Sequence, residues 1–182
     1  MKVLENSSVQ ATLIRPTADL RDSFLEAAGE YRAAGEELDP AFPAYWGTRF
    51  EMYVAQLEAL VQGRHLPTSM VPAETFWLVN AGRRFIGMSR LRRRLTRALR
   101  TEGGHVGYSI RPSERRKGYG THLCALTIEE ARKTKRYKRL LITCDTKNTG
   151  SASIIEKNSG ILENHIISPR TGRQVSRYWV QL

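Results

Sequence analysis

A chain of 182 residues with 41% hydrophobic and 26% charged residues is long enough to bury a core and too apolar to stay disordered. No run approaches the roughly 20 apolar residues of a membrane-spanning helix, and the opening MKVLENSSVQ has no apolar leader core. A cytoplasmic protein with one domain over residues 1–182 is therefore the expectation. The formal net charge of +11 favours anionic partners without choosing between nucleic acid, an acidic surface and a polyphosphate.

In chain order, Val9–Arg15 reads as a first strand ended by Pro16. Leu20, Phe24, Ala27, Ala28 and Tyr31 then recur at helical spacing from about Asp19, and Gly35 can stop that helix. Glu37–Thr48 (ELDPAFPAYWGT) carries two prolines and reads as an irregular loop. Phe50, Tyr53, Val54, Leu57 and Leu60 mark a second helix ended by Gly63. From Thr75 the period changes to two: TFWLV, a turn at Asn80–Gly82 and RFIGMSRLR form a hairpin signal. After an arginine-rich segment, GHVGYSIRP is another strand, closed by a proline that cannot continue a ladder.

The stretch Thr121–Lys135 lines Leu123, Cys124, Thr127, Ile128 and Ala131 along one helical face. RLLITC (Arg139–Cys144) is a buried strand, and NTGSASIIEKN a short helix stopped near Gly160. ILENHIIS and VSRYWVQL make a closing strand pair, and the latter, SRYWVQL in particular, is a strand that can pair between two subunits of a homodimer. Cys124 and Cys144 lack metal-like spacing and read as buried free thiols. The element order is α/β, with a mixed, mostly antiparallel sheet of about six or seven strands flanked by about four helices.

Between the GHVGYSIRP strand and the next helix lies SERRKGYGTH. A helix N-terminus exposes unpaired N–H groups and the positive end of the helix dipole, so it holds an anion if the backbone can come close. Gly118 and Gly120 permit that approach and permit positive φ, which turns successive amides into one concavity. Arg115, Arg116 and Lys117 add charge. No G-x-x-x-x-G-K-[ST] is present and the third glycine of a dinucleotide fingerprint is missing, so the anion belongs to another phosphate carrier.

Arg115-x-x-Gly118-x-Gly120 resembles the [QR]-x-x-G-x-[GA] pyrophosphate loop of the GNAT superfamily of N-acetyltransferases, and ITCDTKNTGSASIIEKNSG resembles that family's next motif. The chain is most similar to a bacterial subgroup carrying GHxGYSxRPSERRKGY and LITCDxxN. The resemblance implies acetyl-CoA lying between the fourth and fifth strands, in an acyl-CoA N-acyltransferase domain. Tyr108, Ser109 and Ile110 would pair with its pantetheine. Arg115 and the N–H groups of Arg116, Lys117, Gly118, Tyr119, Gly120 and Thr121 would hold its pyrophosphate, with Asn148 near the pantetheine arm. It further implies direct acetyl transfer to a primary amine in a ternary complex, the Ile110 amide polarising the thioester carbonyl.

Where many members place a tyrosine to protonate the leaving thiolate, this chain has Ile155. Tyr108, Asp145 and Tyr178 are the candidate proton-transfer residues, with His105 and Glu74 less well placed. The run RLRRRLTRALR (Arg90–Arg100) can put Arg93, Arg97 and Arg100 on one helical face over Leu95 and Leu99, as a solvated connection or as a site for an acidic acceptor. Two other classes stay open: a basic nucleic-acid or regulatory module, disfavoured because no aromatic array interleaves the arginines, and a family member that binds coenzyme A without turnover.

Overall fold

The computed structural model describes residues 10–38, 50–63, 66 and 70–182. Among them lie seven strands and five helices, in the order β1 (Ala11–Ile14), α1 (Arg21–Ala33), α2 (Phe50–Gln62), β2 (Ala73–Asn80), β3 (Phe85–Arg92), α3 (Arg97–Thr101), β4 (Val106–Ile110), α4 (Tyr119–Lys133), β5 (Arg139–Asp145), α5 (Thr149–Lys157), β6 (Ile161–Ile167) and β7 (Gln174–Gln181). The strands form one sheet in the order β1-β2-β3-β4-β5-β7-β6, and only β4 and β5 are parallel. This is the mixed, mostly antiparallel architecture expected from the pattern of elements.

Val9 and the expected loop over residues 39–48 lie outside the described residues. Elsewhere the departures are local. The β2–β3 turn extends past Asn80–Gly82 to Arg83, which is left-handed at φ 55°; the Asn80 side chain supports it by accepting the Arg84 N–H at 2.9 Å. The arginine run is not one amphipathic helix. Arg90 and Arg92 are strand residues, because β3 stays paired as far as Ala73 on β2, and the Arg92 N–H donates to His105 O at 2.8 Å. Only Arg97–Thr101 turn helical, capped by Thr96, so Arg93 does not share a helical face with Arg97 and Arg100. β7 lies between β5 and β6 with both edges used. SRYWVQL therefore cannot pair between subunits, and the sheet edge on that side is β6, where Ile161, Leu162 and Ile167 are exposed.

Two apolar layers clamp the sheet. On one face α1 and α2 meet β2 and β3 around Phe24, whose ring centroid is 4.9 Å from those of Trp77 and Phe85 and 5.3 Å from that of Phe50. On the other, α4 and α5 bury Cys124, Ile128 and Ile155 against Leu91, Leu140, Ile142, Tyr178 and Val180. Both cysteines are free and buried. Among the described residues no helix is long and apolar enough to cross a membrane.

The junction of β4 and β5 positions everything that follows. The His105 N–H donates to Leu141 O at 2.7 Å, and its ring Nδ1 accepts the Leu141 N–H at 2.9 Å. Gly104, at φ 61°, lies so close to Leu141 that any side chain would collide with the Leu141 carbonyl. Beyond the single pair Val106–Ile142 the two strands are no longer paired, and they diverge toward their C-terminal ends.

Burial, with Arg100 and Arg92 nearby, pushes the His105 imidazole down from 6.5 to about 4. Between those values the unfolded chain takes up a proton that the folded chain refuses, so stability falls as pH drops from 6.5 to 4. Urea midpoints measured at pH 7, 5.5 and 4 should show that loss, and His105→Ala should be less stable at pH 7 with a shallower decline toward pH 4.

Candidate functional site

The divergence opens a cleft of about 500 Å³ whose lining includes Tyr108, Ser109 and Ile110 from β4, Asn148, Gly150, Ser151 and Ile154 around α5, and Arg115, Arg116 and Gly120 after β4. Hydrogen bonds alternate along an antiparallel strand. Because Arg92 bonds to His105 and the Arg111 N–H donates to Ile86 O at 2.9 Å, Gly107 and Ser109 spend their backbone groups on β3. Those of Tyr108 and Ile110 turn toward the cleft. α4 follows β4 after the Arg111–Gly118 turn and α5 follows β5 after three residues, and residues from the first turns of both, Gly120 and Gly150, line the cleft with their positive helix ends.

The segment Arg111–Gly120 divides into an anchor and a cradle. Arg111, with a side chain only 3% exposed, donates to Glu30 at 2.7 Å, to Glu26 at 3.1 Å and to the Ser23 carbonyl at 3.3 Å. Ser23, Glu26 and Glu30 recur along one face of α1. Glu30 also accepts the Ser113 N–H at 3.0 Å and the Ser113 hydroxyl at 3.1 Å. Glu114 is buried and takes Arg84 at 2.7 Å and Lys117 at 3.0 Å.

The cradle begins at Arg115. Its guanidinium forks the Glu36 carboxylate at 2.8 and 2.7 Å, its Nε donates to Ile110 O at 3.0 Å, and it lies 5.4 Å from the centre of the Tyr31 ring. That fork holds Glu36 below the usual carboxylate range. Arg116 (φ 64°) and Gly118 (φ 85°) are both left-handed, and Gly118 caps α4. The first bond of that helix runs from the His122 N–H to Gly118 O, so the Tyr119, Gly120 and Thr121 amides precede the ladder. Gly120 is not a positive-φ residue, contrary to expectation. It is helical, and a Cβ there would press on the end of the Ile154 side chain, 2.6 Å from Cδ1, where α4 meets α5. Of the residues expected to hold the pyrophosphate, Lys117, Gly118, Tyr119 and Thr121 do not line the cleft.

Of the candidate proton-transfer residues, Tyr108 alone lines the cleft. Its hydroxyl is 2.8 Å from Ser151 Oγ, and burial pushes its pKa well above the ordinary 10.0. Asp145 instead caps the turn after β5 by accepting the Lys147 N–H at 2.8 Å. Tyr178 packs in the layer beneath α5 and donates to Glu156 at 3.3 Å. His105 is spent on Leu141, and Glu74 pairs with Arg15 on β2. Ile155 is fully buried and faces the core. Asn148 lines the cleft and N-caps α5, accepting the Ser151 N–H at 2.9 Å.

Sequence reasoning missed Ser151, Glu36 and Glu37. The signal for Ser151 was its place three residues after Asn148, whose side chain caps the helix by accepting the Ser151 N–H. Nothing local announces the glutamates, which reach the cleft from the far end of α1.

Burial pushes the Glu30 carboxyl up, but the hydrogen bonds from Ser113 and Arg111 outweigh it and hold it below 4.5. Its stabilisation is therefore complete above that value and is lost as pH falls through the folded pKa. Glu30→Ala leaves Arg111 buried with Glu26 as its remaining carboxylate and should cost about 2–4 kcal/mol in chemical denaturation, with a smaller acid-induced loss than the parent protein.

Residues 15–159 match the family model of the acetyltransferase (GNAT) domain. No curated protein sequence matches the chain. Among solved structures, the microcin C7 self-immunity acetyltransferase, crystallised with acetyl-CoA and AMP, superposes with a TM-score of 0.71 at 16% identity over 95% of this chain and 93% of its own. The ribosomal L7/L12 alpha-N-protein acetyltransferase in complex with coenzyme A gives 0.69 at 14% identity, covering 96% of both chains. The spermidine/spermine N-acetyltransferase of Vibrio cholerae gives 0.61 at 14%, covering 94% and 95%. At such identities the likeness is one of fold, whereas the domain match spans most of the sequence: the chain belongs to the GNAT acetyltransferase family and is an acetyl-CoA-dependent N-acetyltransferase.

Proposed function

We propose that this protein acetylates the primary amine of a small molecule, amino acid or peptide by direct transfer within a ternary complex in the cytoplasm. The observation that carries this reading is the unpaired stretch of β4 running into the left-handed turn at the start of α4. The residues present fit the co-substrate. Tyr108 and Ile110 offer an open strand edge to a pantetheine amide chain, with Ser109 between them. Arg115, Arg116, the backbone of Lys117 and Gly118, and the leading amides of α4 at Tyr119, Gly120 and Thr121 suit a pyrophosphate. Asn148 borders the arm between them. Tyr31, which lines the same cleft beside Ser109 and Arg115, adds a buried phenol to this wall.

Bound acetyl-CoA supplies a thioester: the amine nitrogen forms a C–N bond to the acetyl carbon, the C–S bond breaks, the amine loses a proton and the thiolate gains one. The Ile110 N–H stabilises negative charge on the carbonyl oxygen. Losing the proton from an amine of pKa near 10.4 costs roughly 4–5 kcal/mol at pH 7, so a base is needed. The carboxylates lining the cleft are Glu36 and Glu37, and Glu36 is committed to Arg115. Glu37 takes the base role in this reading. Tyr108, held protonated by burial, and Ser151 supply the proton to sulfur.

In calorimetric titrations, Gly118→Trp and Gly120→Trp should abolish acetyl-CoA binding while Arg97→Ala leaves it within about twofold; equal loss in all three overturns the site. Ser151→Ala and Tyr108→Phe should lower kcat by on the order of 10²-fold with acetyl-CoA affinity kept. Unchanged kcat in both variants removes them from the proton path.

A further inference from the structure

The end of the sheet away from the cleft is strongly basic. β3 finishes there and β4 and β5 begin there, so the connection from β3 to β4 and the connection from α4 to β5 lie side by side. The first carries Arg94, Arg97 and Arg100, the second Arg136, Lys138 and Arg139, and all six residues are exposed. Tyr137 ties the two connections together, its hydroxyl donating to the Arg92 carbonyl at 3.2 Å.

The acids on the adjoining elements are occupied by other partners. Glu129 and Glu130 pair with Arg132 and Lys133 along α4, and Glu102 pairs with Arg170 of the β6–β7 turn. Among the described residues none of the six cations takes part in an ion pair. Six uncompensated charges on one end of a small domain repel one another, and a polyanion lying across them relieves that repulsion.

The rings at this end distinguish it from a merely solvated face. The arginine run itself contains no aromatic residue, but the fold brings three rings between its two arms. The His105 ring centre lies 5.6 Å from that of Tyr137 and 6.4 Å from that of Trp179, and the Arg139 guanidinium sits 3.9 Å above the Trp179 ring. All three rings are half-buried, so each is fixed in place and keeps an exposed part. Burial and the nearby Arg100 charge keep the His105 imidazole unprotonated at pH 7, so its ring is a neutral aromatic.

We propose that this basic end binds the phosphate backbone of a single-stranded nucleic acid, at a surface separate from the cleft and independent of the acetyl-transfer reading. Five of the six cations are arginines, whose planar forks match phosphate oxygens in pairs. An acidic polypeptide makes no use of the rings, whereas a strand with unstacked bases engages both rings and charges. The cleft opens toward the C-terminal ends of β4 and β5, so a strand held at their N-terminal ends leaves it clear.

The test is fluorescence anisotropy of labelled single strands of about 20 nucleotides, RNA and DNA of one sequence, titrated with the full chain with and without saturating coenzyme A. At about 50 mM salt at least one strand should bind with Kd on the order of 10 µM or tighter, and log K should fall with log salt by roughly 0.7 per phosphate engaged. The tighter of the two strands tells RNA from DNA. The pairs Arg97→Glu with Arg100→Glu and Arg136→Glu with Lys138→Glu should each weaken binding at least about tenfold and flatten the salt slope by about 1.4, the equivalent of two contacts, with an unchanged thermal midpoint. Tyr137→Leu should weaken binding at least about threefold with the salt slope kept, as loss of stacking requires. The same charge change at the cleft end, Arg32→Glu with Lys147→Glu, should cost less than about threefold. The inference is overturned by the absence of saturable binding up to about 100 µM, by equal loss in the cleft-end pair, or by displacement of the strand by coenzyme A, which would put it in the cleft. Polyglutamate of similar length binding as tightly as the oligonucleotides also overturns it, in favour of an acidic polypeptide.

Discussion

The parting of β4 from β5 is the constraint on which the rest of the molecule depends. Two parallel neighbours in a sheet ordinarily satisfy each other's backbone groups along their whole length, and leaving several unpaired costs free energy at each. The chain tolerates this because the strands are fastened at one end. His105 uses both its backbone and its ring on Leu141, and Gly104 lets the two backbones nearly touch. A hinge so tight at one end and unpaired beyond it produces a wedge-shaped opening. The backbone N–H groups of Tyr108 and Ile110 face this opening, with the Ile110 carbonyl already taken by Arg115, and the proposed pairing with a pantetheine chain rests on that edge.

In the proposed reading the turn after β4 grips the pyrophosphate of the co-substrate, a task that needs rigidity as much as charge. A loop with six charged or hydroxyl-bearing side chains between Arg111 and Lys117 would be expected to sample many conformations. Here Glu30 collects Arg111 and both donors of Ser113, and Glu114 collects Arg84 and Lys117. Half of the basic cluster is thus consumed in docking the turn onto α1 and β3. With the anchor fixed, the left-handed residues Arg116 and Gly118 aim their amides without further ordering cost when an anion arrives. Glu36 does the same for Arg115, whose Nε is also held on the Ile110 carbonyl.

Much of the site was legible before any coordinates. The [QR]-x-x-G-x-[GA] loop and the Asn148 motif carry local backbone requirements, a left-handed cap and a side-chain cap, that only a few residue types meet. Assignments that depended on where a side chain points were less secure. Asp145 and Tyr178 sit on the correct strands, yet one turns back onto its own loop and the other into the layer under α5. Gly120 is helical and not left-handed, and what lies against it is the end of the Ile154 side chain from α5, a contact that no local pattern announces.

Sequence by itself determined the order of strands and helices, the two-layer burial and the left-handed glycine turn that starts α4, because each follows from periodicity, capping or backbone permissiveness within a dozen neighbouring residues. Only the tertiary structure decided which titratable groups meet. Glu36 and Glu37 reach the cleft from the end of α1, Ser151 meets Tyr108 across the gap, and Arg90 and Arg92 are spread along a strand instead of a helix face. Those juxtapositions are set by long-range register and by the divergence of two strands. They are properties of how distant segments pack, and no local pattern of residues encodes them.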